Sequence, residues 1–510
     1  MTAAPAPSER RCRIVIVGSG LEGWLTAATL GRALPAARYC VTLLCDPDAP
    51  PDSGDSTYPW TGSPHPASEF DESLAVEEAG AAFSLGVAMD GWATPGAAYF
   101  HPFGSIGAPL GPLPFHHVAM RLREVGADLR LGNFTLATLA AQAGRFARPD
   151  GDPRSVLSTC RHGIHLDCEA AGGLFERQAR TAGVRVKEDG PGRIERAGDG
   201  SIRALVTRGG ARLEGELFID CTGSAASLIG TFAEAEWEDW SSWLPCNAVL
   251  SASVASPEPP LPYSHAQAHA AGWTRRLPLQ GRALLWHYYR SDRMDQEEAE
   301  RLLSARAGAE LRQLETGALR PGRRRLAWCR NCVALGTSAA WIEPLAITNL
   351  QLLRYGIDRL LGLLPRGPDA RMAAAEFNRL AAALLDHARD FASLHYTLNG
   401  RHGEPFWDAC REIAPSEPAS YKLRVYRGRG RLVMFDEEPI EEAGWISLLD
   451  EHGIRPRWYH PMAGGFDPAM LGDHARKVRE LMLDAVRRMP AHGEYLSRLA
   501  SKNRGSGEQQ

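Results

Sequence analysis

An unbroken apolar run, Ile14-Val15-Ile16-Val17, has the pattern of a strand buried on both faces, and it passes directly into Gly18-Ser19-Gly20-Leu21-Glu22-Gly23. Ala and Leu then recur at helical spacing to about residue 34, and a second β-type run at 39–45 stops at Asp46. This order predicts one βαβ unit. A helical pattern follows at 72–78. The apolar run at 81–89 reads as one buried strand that stops at Asp90-Gly91-Trp92. Residues 115–143 read as mainly helical, helix and strand alternate again over 174–187, and 192–217 has the spacing of a β-meander. The meander feeds Leu217-Phe218-Ile219 and the turn Asp220-Cys221-Thr222-Gly223. Another strand at 332–336 meets the small-residue turn Thr337-Ser338-Ala339-Ala340, and a helical stretch spans 350–364. From 370 onward the pattern is mostly helical, with a basic, turn-rich break at 427–431.

The G-x-G-x-x-G between strand and helix has the mechanics of a nucleotide site. Gly18 permits the tight turn, Gly20 lets backbone approach a pyrophosphate, and Gly23 lets the helix pack closely on the strand, with phosphates at the helix N-terminus. Asp46 is placed to take a ribose hydroxyl. The strand closing on Asp220 and Gly223 either brings backbone amides to a cofactor or is a plain strand-to-turn transition; both readings stay open. Gly336 opens a third such turn. Turns so dispersed suit an interrupted FAD domain better than a compact NAD domain. The expected fold class is α/β, with a Rossmann-like FAD-binding domain over 11–370, interrupted by substrate-pocket insertions at about 70–165 and 235–320. A mainly helical substrate-covering region is expected at 371–500, and flexible tails at 1–10 and 501–510.

Composition narrows the function classes. Of 510 residues, 44% are hydrophobic and 23% charged, enough for a large core. A formal net charge of -4 argues against a nucleic-acid partner. The basic runs Arg323-Arg324-Arg325 and 424–431 read as a solvated face or a flavin-phosphate neighbourhood. No apolar run is long enough to span a membrane, and residues 1–11 lack a signal-peptide core, so a cytoplasmic location is expected. Cys329-Arg330-Asn331-Cys332 has no second pair, and neither His265 with His269 nor His116-His117 has metal-motif partners, so no metal is expected.

Several segments, in order, resemble the tryptophan halogenase family of flavin-dependent enzymes. They include residues 18–24 and 83–92, His101-Pro102-Phe103-Gly104, Pro114-Phe115-His116-His117, residues 218–223 and 273–278, and Glu343-Pro344-Leu345. His395-Tyr396, Pro405-Phe406-Trp407 and Arg455-Pro456-Arg457-Trp458-Tyr459-His460-Pro461 add to the set. The resemblance implies a box-like FAD domain carrying a largely helical substrate domain. It implies reduced FAD supplied by a separate flavin reductase, and a C4a-hydroperoxide formed with oxygen. In the halogenases halide attacks that species, and hypohalous acid crosses a tunnel to a lysine beside the substrate, with a glutamate assisting. His101 and Phe103 match positions that sandwich an indole ring, and Trp458 and Tyr459 join them as pocket candidates.

The chain departs from that pattern where the chemistry is done. The family lysine of Phe-Lys-Leu-Gly is Ser84, and the family glutamate of Glu-Pro-Leu-Glu-Ser-Thr is Ala346. The second Trp of W-x-W-x-I-P is Arg275, read equally as a surface residue or as positive charge near the flavin. Asp46 lies one place beyond the usual acidic residue. Thr348 and Asn349 are the halide candidates, with Asn349 in place of a small residue. A serine cannot replace the amine, and alanine has no acid–base capacity. The expected activity is therefore monooxygenation of an aromatic, indole-bearing substrate, free or tethered to a carrier or peptide. The alternatives are a halogenase whose groups come from His116, His117 or Arg275, and a non-catalytic flavin-binding accessory protein. A homodimer is the candidate assembly.

Overall fold

The computed structural model describes residues 11–49, 57–60, 71–364 and 370–507. The expected βαβ unit forms from strand Cys12–Val17, helix Leu21–Ala33 and strand Tyr39–Cys45. The strand is buried on both faces because the sheet is covered on both, so its apolar run is continuous rather than alternating. Five strands are parallel, in the order Cys332–Ala334, Leu217–Asp220, Cys12–Val17, Tyr39–Cys45, Arg185–Glu188, with the short Trp328–Cys329 hairpinned onto one edge. From Cys12–Val17 the chain runs first to Tyr39–Cys45 on one side, and later returns to Leu217–Asp220 on the other. The topological switch point thus lies between Val17 and Asp220, which are paired in register. Cys329 and Cys332 face each other across a two-residue turn as buried free thiols.

The two expected insertions are one structure. Gly86–Asp90 and Ala98–Pro102 from the first join a seven-stranded sheet whose other strands lie between residues 248 and 318, through parallel pairing of Gly86–Asp90 with Ser264–His269. The single strand expected at 81–89 is corrected to two. Ala82–Ser84 pairs with His162–His165 in another sheet, and the chain changes partner at Leu85. Gly86 makes the change possible by close approach: a Cβ there would lie 2.2 Å from the His101 carbonyl oxygen.

The C-terminal region is helical as expected, led by Ala370–Thr397 and followed by Glu417–Arg429, Glu442–Glu451 and Pro468–Arg488. The tail expected from 501 is corrected, because helix His492–Gly507 continues through it and packs on Glu72–Glu78. Its first turn is pinned by His492, whose Nδ1 donates to the Pro260 carbonyl (2.7 Å) while Nε2 accepts from the Phe83 N–H (3.2 Å). Residues 1–10 and 508–510 lie outside the described residues. Among the described residues no helix is long and apolar enough to cross a membrane.

An aromatic cluster ties the seven-stranded sheet to the helices. Trp92 packs against Trp273, Tyr396 and Trp407 at ring separations of 5.8, 5.8 and 5.3 Å. Glu343 caps the cluster, accepting from Trp273 Nε1 at 3.0 Å and from the Tyr396 hydroxyl. Burial pushes its carboxyl up to about 7, although both hydrogen bonds pull the other way. The folded chain therefore keeps a proton that the unfolded chain releases near 4.5. Its stabilising effect is complete below that pH and is lost as pH rises through about 7. Glu343→Gln is expected to remove this slope, closing a gap of about 3 kcal/mol between pH 4.5 and 8 in melts of the two proteins. Parallel stability–pH curves would show that Glu343 does not titrate in this way.

Candidate functional site

A cleft of about 460 Å³ opens at the C-terminal ends of Cys12–Val17 and Leu217–Asp220, lined by Gly18, Ser19, Gly20, Asp46, residues 221–225 and Thr337. Backbone-on-backbone contact shapes it. A Cβ at Gly18 would stand 2.3 Å from the Cys221 carbonyl oxygen, and one at Gly23 would stand 2.4 Å from that of Gly18. Gly20 caps helix Leu21–Ala33 without a side-chain bond, leaving first-turn amides at the cleft for an anion. The third turn is fastened by Glu22, whose carboxylate accepts the Thr337 N–H (2.8 Å) and hydroxyl (3.2 Å). Gly336 lies so close to Glu22 that a Cβ would meet its carboxylate at 2.3 Å. The three dispersed turns thus converge, and their open, amide-rich floor fits the pyrophosphate of FAD.

Two cofactor residues act differently from expectation. Asp220 is fully buried behind the cleft. It accepts from the Thr222 N–H and hydroxyl (3.0 and 2.7 Å) and from the Leu228 and Ile229 amides (both 2.8 Å). It therefore ties the turn carrying Gly223 and does not line the cleft. Asp46 does line the cleft, with its N–H on Ser19 Oγ at 2.6 Å, but its carboxylate is paired with Arg208.

A second, much smaller cleft brings together His101, Phe103, Gly104, Arg161, Ala346, Gln351, Ile440, Glu441 and Gly444. His101 and Phe103 arrive on and just after strand Ala98–Pro102. Burial lowers the His101 imidazole to about 4, so the ring is neutral. Arg161 and Glu441 stand 4.0 Å apart, each about half exposed. Ala346 belongs to a loop closed by Asn349, whose amide donates to the Ile342 carbonyl (3.0 Å) and accepts its N–H (3.1 Å). Arg275, 1% exposed, braces the same loop by donating to the Pro344 carbonyl, and reaches Ser264 Oγ at 3.4 Å.

Several expected site residues lie elsewhere. Ser84 is fully buried, donates to the Gly86 carbonyl at 3.2 Å, and does not line that second cleft. The halide candidates hold structure: the Asn349 amide is the loop clasp, and Thr348 caps helix Asn349–Leu363 by accepting the Gln351 N–H at 3.2 Å. Trp458 is 66% exposed, and the Tyr459 hydroxyl reaches Glu124, so neither belongs to the cleft wall with His101. His116 bonds the Gly430 carbonyl at 3.1 Å and His117 accepts the His460 N–H at 3.2 Å, bracing that outer loop. Arg161, Gln351, Glu441 and Gly444 were not foreseen, because no motif marks them and only the tertiary fold collects them.

The tryptophan halogenase family profile matches residues 13–468. The chain belongs to the tryptophan halogenase family. BrvH, a flavin-dependent halogenase from Brevundimonas sp. BAL3, superposes with a TM-score of 0.90 at 30% identity, over 96% of this chain and 99% of that one. Xcc4156, a flavin-dependent halogenase from Xanthomonas campestris, gives 0.89 at 31% identity over the same shares. Tryptophan 6-halogenase ThaL of Streptomyces albogriseolus is 28% identical over 443 residues, 81% of each chain. Halogenation is the family's activity and FAD its cofactor. For this family member, Gly18→Ala is expected to weaken FAD binding more than about tenfold, since its methyl group cannot clear Cys221. Flavin fluorescence titration measures this, and unaltered affinity would exclude the glycine cleft as the FAD site.

Proposed function

We propose that this chain is a FAD-dependent enzyme that oxygenates an aromatic, indole-bearing substrate directly, with a separate reductase supplying reduced flavin. The observation that carries the reading is Ala346. It stands in the wall of the His101–Phe103 cleft, where the family pattern has its glutamate, and offers no proton-transferring group. Ser84, at the lysine position, commits its hydroxyl to the Gly86 carbonyl. Loss of a positioned acid or base costs about 10²–10⁴-fold, so loss of both leaves little regiospecific halogenation. When bound and reduced, the flavin supplies two electrons and activates oxygen, one atom of which enters a ring C–H bond while the other leaves as water.

The protein's own part is to hold and shield the substrate. Phe103 and Ile440 give the cleft apolar faces, and neutral His101 provides a polar contact without a charge. Arg161 and Glu441 offer opposite charges for a polar substituent, on a free or a tethered substrate. One observation favours halogenation as a second reading: Arg275 brings a buried guanidinium to the loop that carries Ala346. That group does not release its proton, however, so it supplies charge without acid–base exchange. His116 and His117 brace an outer loop and give halogenation no support.

Turnover with FAD, a flavin reductase, bromide and indole or tryptophan, followed by mass spectrometry, is expected to yield product heavier by one oxygen. A bromine isotope pattern as the main product would overturn the proposal in favour of halogenation. Ser84→Lys combined with Ala346→Glu is expected to raise brominated product above the wild-type level in the same assay.

A further inference from the structure

The glycine-lined cleft has an acidic wall. Glu22, Asp46 and Asp48 line it, and among the described residues no Lys, Arg or His does. Its ligand carries a pyrophosphate, for which the helix N-terminus offers only partial positive charge. Carboxylates beside such an anion oppose its binding unless their charge is compensated.

The compensation comes from outside the wall. Arg208 follows strand Ile202–Thr207, and its guanidinium pairs with the Asp46 carboxylate and lies 3.6 Å from that of Asp48. Among the described residues neither carboxylate has another ion-pair partner. Asp46 Oδ1 also accepts the Asp48 N–H at 3.0 Å, so the same oxygen is held from two sides. The arginine is itself fixed. Its N–H donates to the Gly190 carbonyl at 2.9 Å, and the Asp189 carboxylate accepts the Gly190 and Gly209 amides at 2.9 and 3.1 Å, tying the two turns together. The side chain then crosses Gly190 so closely that a Cβ there would lie 1.8 Å from Arg208 Nε. Only a glycine leaves room for that path.

We propose that Arg208 is a positioning residue for the cofactor: by pairing with Asp46 and Asp48 it cancels the charge of the acidic wall and holds Asp46 in place, so that the cleft admits a dinucleotide pyrophosphate. It acts through the two carboxylates and not by touching the phosphates. The ligand feature it serves is the adenosine diphosphate half, so ADP senses it as FAD does. The inference rests on this cleft being the FAD site.

Flavin fluorescence titration with FAD, and displacement of FAD by ADP, test it on the full chain. Arg208→Ala is expected to weaken both ligands about fivefold. Adding Asp46→Asn, which keeps an oxygen acceptor but removes the charge, is expected to bring binding back to within about twofold of wild type. The deficit of Arg208→Ala is expected to shrink as salt rises, because salt screens the exposed repulsion. Unchanged affinity in Arg208→Ala would overturn the inference. So would a double variant that binds no better than Arg208→Ala, the result of a direct phosphate contact or of a purely structural arginine. Failure of ADP to displace FAD from the wild type would overturn the cleft assignment as well. If Arg208→Ala does not fold, Arg208→Met, which keeps the stem over Gly190, carries the same expectations.

Discussion

At Gly18 the main chain passes so near Cys221 that a single methyl group would stand 2.3 Å from its carbonyl oxygen. Contact between these two backbones brings the first glycine turn against the turn after Leu217–Asp220, and every other part of the cofactor cleft depends on it. Gly23 repeats the approach one helical turn on, seating helix Leu21–Ala33 against the Gly18 carbonyl. Glu22 then reaches out of that helix to fasten the third turn at Thr337. A carboxylate in a first helical turn is favourably placed by the helix dipole, and here it is used as a strut between distant segments.

The second cleft is built on a different principle, a loop held by its neighbours' side chains. Glu343 is fixed by Trp273 and Tyr396, Pro344 by Arg275, and Ile342 by Asn349. Each bond fixes the loop without entering the cleft. The loop that carries Ala346 is therefore held from outside the cleft, and what it presents to the cleft wall is a methyl group.

The strand Cys12–Val17 and its glycine turn were legible in the sequence because burial on both faces and a G-x-G-x-x-G spacing leave a local signature. Asp220 was legible as the end of a strand, but not its task, since its partners Leu228 and Ile229 are apolar residues that contribute only amides. The run at 81–89 misled because uniform burial hides a change of sheet, and only the approach of Gly86 to His101 reveals it. Trp458 and Tyr459 do not line the cleft with His101, because aromatic character says nothing about which face a loop presents. The wall from Ile440 to Gly444 carries no motif.

The fused sheet has a consequence for how the chain comes to be folded. Gly86–Asp90 and Ser264–His269 pair in parallel although well over a hundred residues separate them, so the strands beside His101 wait for a distant partner during synthesis. Contacts of such high sequence separation form late and slowly. Until they form, the hairpin of Gly86–Asp90 and Ala98–Pro102 presents an open edge able to pair with other chains. Truncation before residue 264 would leave that edge permanently exposed. The nascent chain is thus most exposed to aggregation in the interval between the emergence of these two strands.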